Sequence, residues 1–155
     1  MSGHVEVSKD MNAPAERVWA MISDVTRMGE WSPENQGAVW LKGATGAAPG
    51  AKFEGQNQFG KSKWKTAATV VDCEPGKRFS FSVVAGPFKI ADWAYTFEPT
   101  ATGCRVTESW DDRRNGLAKF MAKFVVKGVP DRAEHNRTGM EQTLATLATA
   151  AEAAA

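Results

Sequence analysis

Residues 55–62 read GQNQFGKS, and this stretch satisfies the phosphate-loop pattern G-x-x-x-x-G-K-S/T at every fixed position. How it is read decides the fold. A phosphate loop works because backbone N–H groups and a helix N-terminus point at an anion, so it needs a strand before it and a helix after it. The strand is there: Lys52 to Phe59 alternate in character. The helix is not. Trp64, Ala67, Ala68 and Val71 fall at helical spacing, but Trp64, Ala68 and Val70 also form a strand face opposite Lys63 and Lys65. Thr66, Thr69, Val70 and Val71 are β-branched, which favours the strand, and Pro75-Gly76 closes the run early. Phosphate-loop proteins are parallel α/β folds whose crossovers take a dozen or more residues, and 76–112 has no room for them. Asp72, the nearest acidic partner for a metal, comes too soon after Ser62. Residues 55–62 are therefore expected to be a strand end and a hairpin turn at Gly60, and no nucleotide partner is expected.

Working outward, the same punctuation recurs. Short runs near 38–42, 52–59, 63–72, 78–84, 89–97 and 104–110 are separated by Gly- and Pro-bearing turns, the signature of an antiparallel meander. Before them, His4 to Lys9 alternate as a strand. Asn12 then stands as a capping side chain before Ala13-Pro14-Ala15-Glu16 and an amphipathic helix carrying Val18, Trp19, Met21, Ile22 and Val25. TRMGEW, 26–31, predicts a second short helix ending at Ser32-Pro33. After residue 116 the spacing is helical again until Gly128-Val129-Pro130 breaks it, and a last helix runs from about Asp131 to the Ala-rich end. The chain is expected to be one domain over 1–155, of α+β class.

Composition narrows the functions. The chain has 19 Lys+Arg against 18 Asp+Glu, a net charge of +1, which is too balanced for a sequence-independent nucleic-acid binder. MSGHVEVSKD is polar and alternating rather than a signal peptide, and no apolar run reaches the roughly 18 residues of a membrane span. Cys73 and Cys104 are too few for a disulfide framework, so a cytoplasmic location is expected. Two cysteines far apart and two histidines make no metal constellation, and no cofactor is expected.

A second set of residues carries a family likeness. APAERVWAMISDVTRMGEWSPE, 13–34, holds Pro14, Val18-Trp19, Asp24 and Trp31-Ser32-Pro33. CEPGKRFSF, 73–81, WAYTFEPTATGCRVTESW, 93–110, and the long last helix follow in order. This series resembles the START-like, helix-grip superfamily (SRPBCC), in particular its polyketide cyclase/dehydrase and lipid-transport branch, over essentially the whole chain. The motifs are structural and say more about fold than about activity. The resemblance implies a curved antiparallel sheet wrapped around a long C-terminal helix, two short helices after the first strand, and a cavity for an apolar small molecule between sheet and helix.

Strand alternation then gives the inward side chains. Phe79, Phe81 and Val83 oppose Ser80 and Ser82; Trp93, Tyr95 and Phe97 oppose Asp92, Ala94 and Thr96. Phe53 and Phe59 bring Asn57 inward, and Trp64 shares the inner face of its strand. In 104–110, Val106 and Trp110 share a face with Glu108, so the sequence leaves the direction of Glu108 open. On the last helix, at about 100° per residue, Ala133, Arg137, Met140, Leu144, Leu147 and Ala151 share one face with Asn136 and Thr143 at its border. The expected ligand contacts are Phe53, Asn57, Trp64, Phe81, Trp93, Tyr95, Trp110, Asn136, Arg137 and Met140. A buried Arg137 needs a counter-charge, and Glu108 is the candidate. Gly139 weakens the helix and suggests close approach of the sheet or a ligand.

Three functions compete. Binding or transport of an apolar or amphipathic molecule such as a lipid or polyketide-like compound ranks first. A cyclase or dehydratase needs a positioned acid or base. His4 is terminal and His135 is expected to face solvent, so no catalytic residue is assigned. Finally, GLAKFMAKFVVKG, 116–128, sets a lysine row beside a Phe/Met/Leu stripe, which suits transient docking of a lipid carrier on an anionic membrane. The oligomeric state is not legible.

Overall fold

Gly60 turns the chain back on itself. In the computed structural model, which describes residues 3–128 and 131–153, β3 (Lys52–Phe59) and β4 (Ser62–Glu74) pair antiparallel with Phe59 opposite Ser62. Gly60 has φ +59°, and Lys42 is the only described non-glycine residue with positive φ, so the Gly60-Lys61 turn has the type II′ pattern that suits the twist of a hairpin. The phosphate-loop text is a hairpin here.

The other strands are β1 (His4–Met11), β2 (Asn35–Trp40), β5 (Arg78–Ala85), β6 (Phe88–Pro99) and β7 (Cys104–Asp112). They form one antiparallel sheet in the order β1-β7-β6-β5-β4-β3-β2. β1 and β2 are neighbours in sequence yet occupy opposite edges. The chain between them crosses through α1 (Ala15–Ser23), a 3-10 turn (Val25–Arg27) and α2 (Met28–Trp31). After β7 come α3 (Gly116–Val125) and the long α4 (Arg132–Ala153), which the sheet grips. This is the expected helix-grip architecture.

Three bulges help bend the sheet. One strand carries an extra residue at Gln36, in the β4 segment between Val70 and Cys73, and at Ile90. An extra residue in one strand bends it and increases its twist. The β4 bulge is pinned by Ser80, whose hydroxyl accepts from the Asp72 N–H (3.0 Å) and donates to Asp72 Oδ2 (2.6 Å). At the β2 bulge, Asn35 Oδ1 accepts from the Gly37 N–H (2.7 Å).

The core sits at one end of the grip. Leu144, Leu147, Ala148 and Ala151 of α4 are buried against Val70, Phe79 and Val106 of the sheet and Val18, Ile22 and Val25 of the helical crossing. Each large apolar side chain buried this way contributes roughly 1.5–3 kcal/mol. At the N-terminal half of α4, polar residues replace leucines, the two layers are not filled by side chains, and a cavity opens.

Several local expectations are corrected. The first central strand is 35–40 rather than 38–42, because the paired register begins at Asn35 and Lys42 already turns away with φ 53°. Asn12 does not cap α1: the residue before the helix is Pro14, with no side-chain cap, and the Asn12 N–H donates to Glu152 Oε2 of α4 (2.8 Å). Gly139 faces Pro33 rather than the sheet, with ordinary room for a Cβ at 3.6 Å. Of the Gly128-Val129-Pro130 break, Val129 and Pro130 lie outside the described residues.

Candidate functional site

Sheet register builds the walls. Because facing residues across an antiparallel ladder point to the same side, Phe53, Ala68, Val83 and Ala91 form one inward row across four strands. Val70, Phe81, Trp93, Trp110 and Val5 form the next, and Phe79, Tyr95, Glu108 and Val7 the one beyond. Rings stack along and between these rows: Phe53 on Phe81 (5.2 Å, edge-on) and Trp93 by Trp110 (6.5 Å). Between them and α4 lies a partly open cavity of about 850 Å³.

Phe53, Asn57, Trp64, Phe81, Trp93 and Tyr95 all line it, as do Trp110, Asn136 and Met140. Arg137 does not. The physical reason is rotation about α4. The buried core stripe is centred near Met140, Leu144, Leu147 and Ala151, and the cavity strip, Arg132, Asn136, Gly139 and Thr143, lies about 90° to one side of it by the 100° step. Arg137 falls on the other side and is partly exposed. The same rotation corrects His135, which stands at the edge of the cavity strip and lines it rather than facing open solvent.

Residues that sequence reasoning missed gather near the start of α4. Arg132 Nη1 donates to both oxygens of Glu34 (2.9 and 3.1 Å), and His135 Nε2 lies 2.7 Å from Glu34 Oε2. The guanidinium of Arg132 lies over Trp64 (6.0 Å), and the His135 ring meets Phe59 edge-on (4.8 Å). This latch ties α4 to the α2–β2 connection and to the β3–β4 hairpin. Its partners are a hundred residues apart in sequence, and no local pattern announces them. Arg114, also on the cavity wall, is held bidentate by Asp112 (2.8 and 2.7 Å). Burial alone would raise the Asp112 carboxyl, but the Arg114 hydrogen bonds outweigh it and hold the group below its usual value.

Glu108 faces inward. It is 2% exposed, and the Tyr95 hydroxyl donates to its Oε1 at 2.7 Å. Burial pushes its carboxyl up to about 8, with the Tyr95 hydrogen bond working the other way. Burial, and then the neighbouring Glu108, raises the Tyr95 hydroxyl well above its ordinary value. Burial thus favours the protonated form of Glu108 at neutral pH. The pairing with Arg137 that the sequence allowed is not formed among the described ion pairs.

α3 covers part of the cavity with Ala118, Met121, Ala122 and Val125. Its other side is bare: Leu117, Phe120 and Phe124 are 58%, 55% and 65% exposed, and the two phenyl rings stack edge-on at 5.5 Å. Lys119, Lys123 and Lys127 run beside them, exposed.

Among the described residues, no group of three or more His, Cys, Asp or Glu side chains is placed to hold a metal ion. No helix of the described residues is long and apolar enough to cross a membrane.

Comparison with known proteins agrees with this fold. The family model described as "Polyketide cyclase / dehydrase and lipid transport" matches residues 2–152. Among solved structures, the chain is similar to a Polyketide_cyc-like protein of Corynebacterium glutamicum, with 34% identity, TM-score 0.63, and coverage of 96% of this chain and 90% of that one. It also superposes on a di-domain aromatase/cyclase (ARO/CYC) of the steffimycin biosynthetic pathway, with TM-score 0.74 at 14% identity, covering 98% of this chain and 51% of the other. A major latex-like protein of Panax ginseng gives TM-score 0.71 at 11% identity over 97% and 98% of the two chains. The last two likenesses concern fold alone. No curated protein matches the chain.

Proposed function

The chain belongs to the polyketide cyclase/dehydrase and lipid transport family, a hydrophobic ligand-binding fold, and from that premise we propose that it binds an apolar or amphipathic small molecule, lipid or polyketide-like, between its sheet and α4. One observation carries the reading: the cavity of about 850 Å³ whose sheet side is walled by the large rings of Phe53, Phe81, Trp93 and Trp110. Ligand sites are typically concave, roughly 300–1,000 Å³, mostly apolar, and oriented by a small number of polar side chains. Asn57, Asn136 and the Glu34–Arg132–His135 latch supply such groups near the N-terminus of α4. The two free thiols, Cys73 and Cys104, suit a cytoplasmic location.

The test is titration with a fluorescent fatty acid or a naphthalene-type probe. Saturable binding whose affinity changes in Trp93→Ala or Met140→Ala supports the reading. Unchanged binding in both folded variants places the ligand elsewhere. Turnover of a bound compound would move the protein from binder to cyclase- or dehydratase-type enzyme.

A second reading concerns delivery. The exposed Leu117, Phe120 and Phe124 beside Lys119, Lys123 and Lys127 fit an anionic bilayer, apolar rings entering the interface and lysines meeting lipid headgroups. The segment 116–128 carries no acidic residue to oppose that contact. As α3 also lines the cavity, docking there would bring the ligand space to the membrane.

A further inference from the structure

Two buried side-chain polar atoms of the described residues lack a hydrogen-bond partner, Glu108 Oε2 and Trp31 Nε1, and both belong to residues that line the ligand cavity. Buried polar groups are almost always paired, so an unpaired one asks for a partner. Glu108 is the stronger case. Its Oε1 is taken by the Tyr95 hydroxyl at 2.7 Å, its other oxygen is free, and the residue is 2% exposed. From these positions we propose that Glu108 Oε2–H is a hydrogen-bond donor for a neutral acceptor on the ligand, a ketone or quinone carbonyl carried on an apolar body. The proposal rests on the cavity being the ligand site and adds the side chain that orients the ligand within it.

The proton is where this role requires it. Burial keeps Glu108 protonated through neutral pH, and Tyr95 donates to Oε1, which leaves the proton on Oε2. A protonated carboxyl is a donor, whereas a carboxylate accepts only. The neighbours across the ladders are Tyr95 on β6 and Val7 on β1. α4 contributes the uncharged Asn136 and Met140 to the same cavity. The charged groups elsewhere on the wall are largely engaged: Arg114 with Asp112, and Arg132 and His135 with Glu34. Glu134 is exposed at the start of α4. A carbonyl that reaches Glu108 therefore meets an uncommitted donor. Trp31 Nε1 offers a second donor to a ligand with more than one oxygen.

The experiment compares two probes built on one ring system: 6-propionyl-2-dimethylaminonaphthalene, a fluorescent neutral ketone, and 2-dimethylaminonaphthalene, which lacks the acyl group. At pH 6.5 the wild type should bind the ketone about tenfold more tightly than the parent, with the emission shifted to the red as its carbonyl accepts a hydrogen bond. As pH rises through about 8, Glu108 loses its proton and the preference should disappear. Glu108→Gln retains an N–H donor, so it should keep the preference and lose its pH dependence. Glu108→Met should bind both probes alike. A preference unchanged by pH in the wild type, or retained in Glu108→Met, overturns the assignment while leaving the cavity reading intact. If neither probe binds the wild type, both the assignment and the cavity reading fall.

Discussion

The Tyr95 hydroxyl donates to Glu108 Oε1 at 2.7 Å, between two residues that face each other in register on β6 and β7. That contact joins an acid to the wall of an apolar cavity, and its cost is visible as pH dependence. In the unfolded chain Glu108 titrates near 4.5; in the fold, burial moves it to about 8. Between these values the folded state holds a proton that the unfolded state has released, so stability falls as pH rises, by about 1.4 kcal/mol per pH unit for this group. The contribution is complete below about 4.5 and lost above about 8. Glu108→Gln should therefore gain stability relative to wild type steadily from pH 5 to 8 in urea denaturation. Parallel curves for the two proteins would contradict a buried acid.

The rotation of the cavity strip on α4 separates two adjacent residues. Asn136 lines the cavity and Arg137 does not. Asn136→Ala should change the affinity for a naphthalene-type probe several-fold, whereas Arg137→Ala should leave it within a factor of two, as expected for a surface change. The reverse order would place the ligand on the other face of the helix.

Gly139 occupies a helix interior without a structural need for glycine. A Cβ there would sit 3.6 Å from Pro33, an ordinary contact. Gly139→Ala should raise stability by about 0.5–1 kcal/mol, the helix-propensity difference. Destabilisation in a denaturant titration would mean that the α2–α4 approach is closer than described.

The bare face of α3 makes a prediction about membranes. Sedimentation with phosphatidylglycerol-containing vesicles should carry the protein down and weaken with added salt, while phosphatidylcholine alone should hold little. Replacing Lys119, Lys123 and Lys127 by Gln should weaken binding about a hundredfold, at roughly 1 kcal/mol per lysine. Phe120→Ser with Phe124→Ser should weaken it at any salt concentration. Equal binding to neutral vesicles, or none to anionic ones, removes the docking reading.

Much of this fold was legible in the text of the chain because its signals are local. Alternation in 78–84 and 89–97 put Phe79, Phe81, Tyr95 and Phe97 inside, where they lie. The glycine in GQNQFGKS marked a turn because β-branched residues after it would not continue as a helix. What escaped was set by longer-range geometry. The bulges at Gln36, at Ile90 and between Val70 and Cys73 shift register by one residue and leave no periodic trace. Helical spacing identified the buried stripe of α4, but the cavity adjoins that stripe rather than continuing it, so Arg137 was included and His135 left out. The direction of Glu108 was undecidable from β7 alone, since a strand with one acidic residue on its apolar face reads equally as an error in facing or as a buried acid. Pairing with Tyr95 decides it.

The central claim is that a small apolar molecule occupies the space between sheet and α4, and its most direct measurement is titration of a fluorescent fatty acid into the wild type and into Ala68→Phe. Ala68 is a buried small residue on the cavity wall, and a phenyl ring there would narrow the space. The account predicts saturable one-to-one binding to the wild type and a clearly weakened affinity in Ala68→Phe, with circular dichroism unchanged. Equal binding by both folded proteins, or none by the wild type, would contradict it.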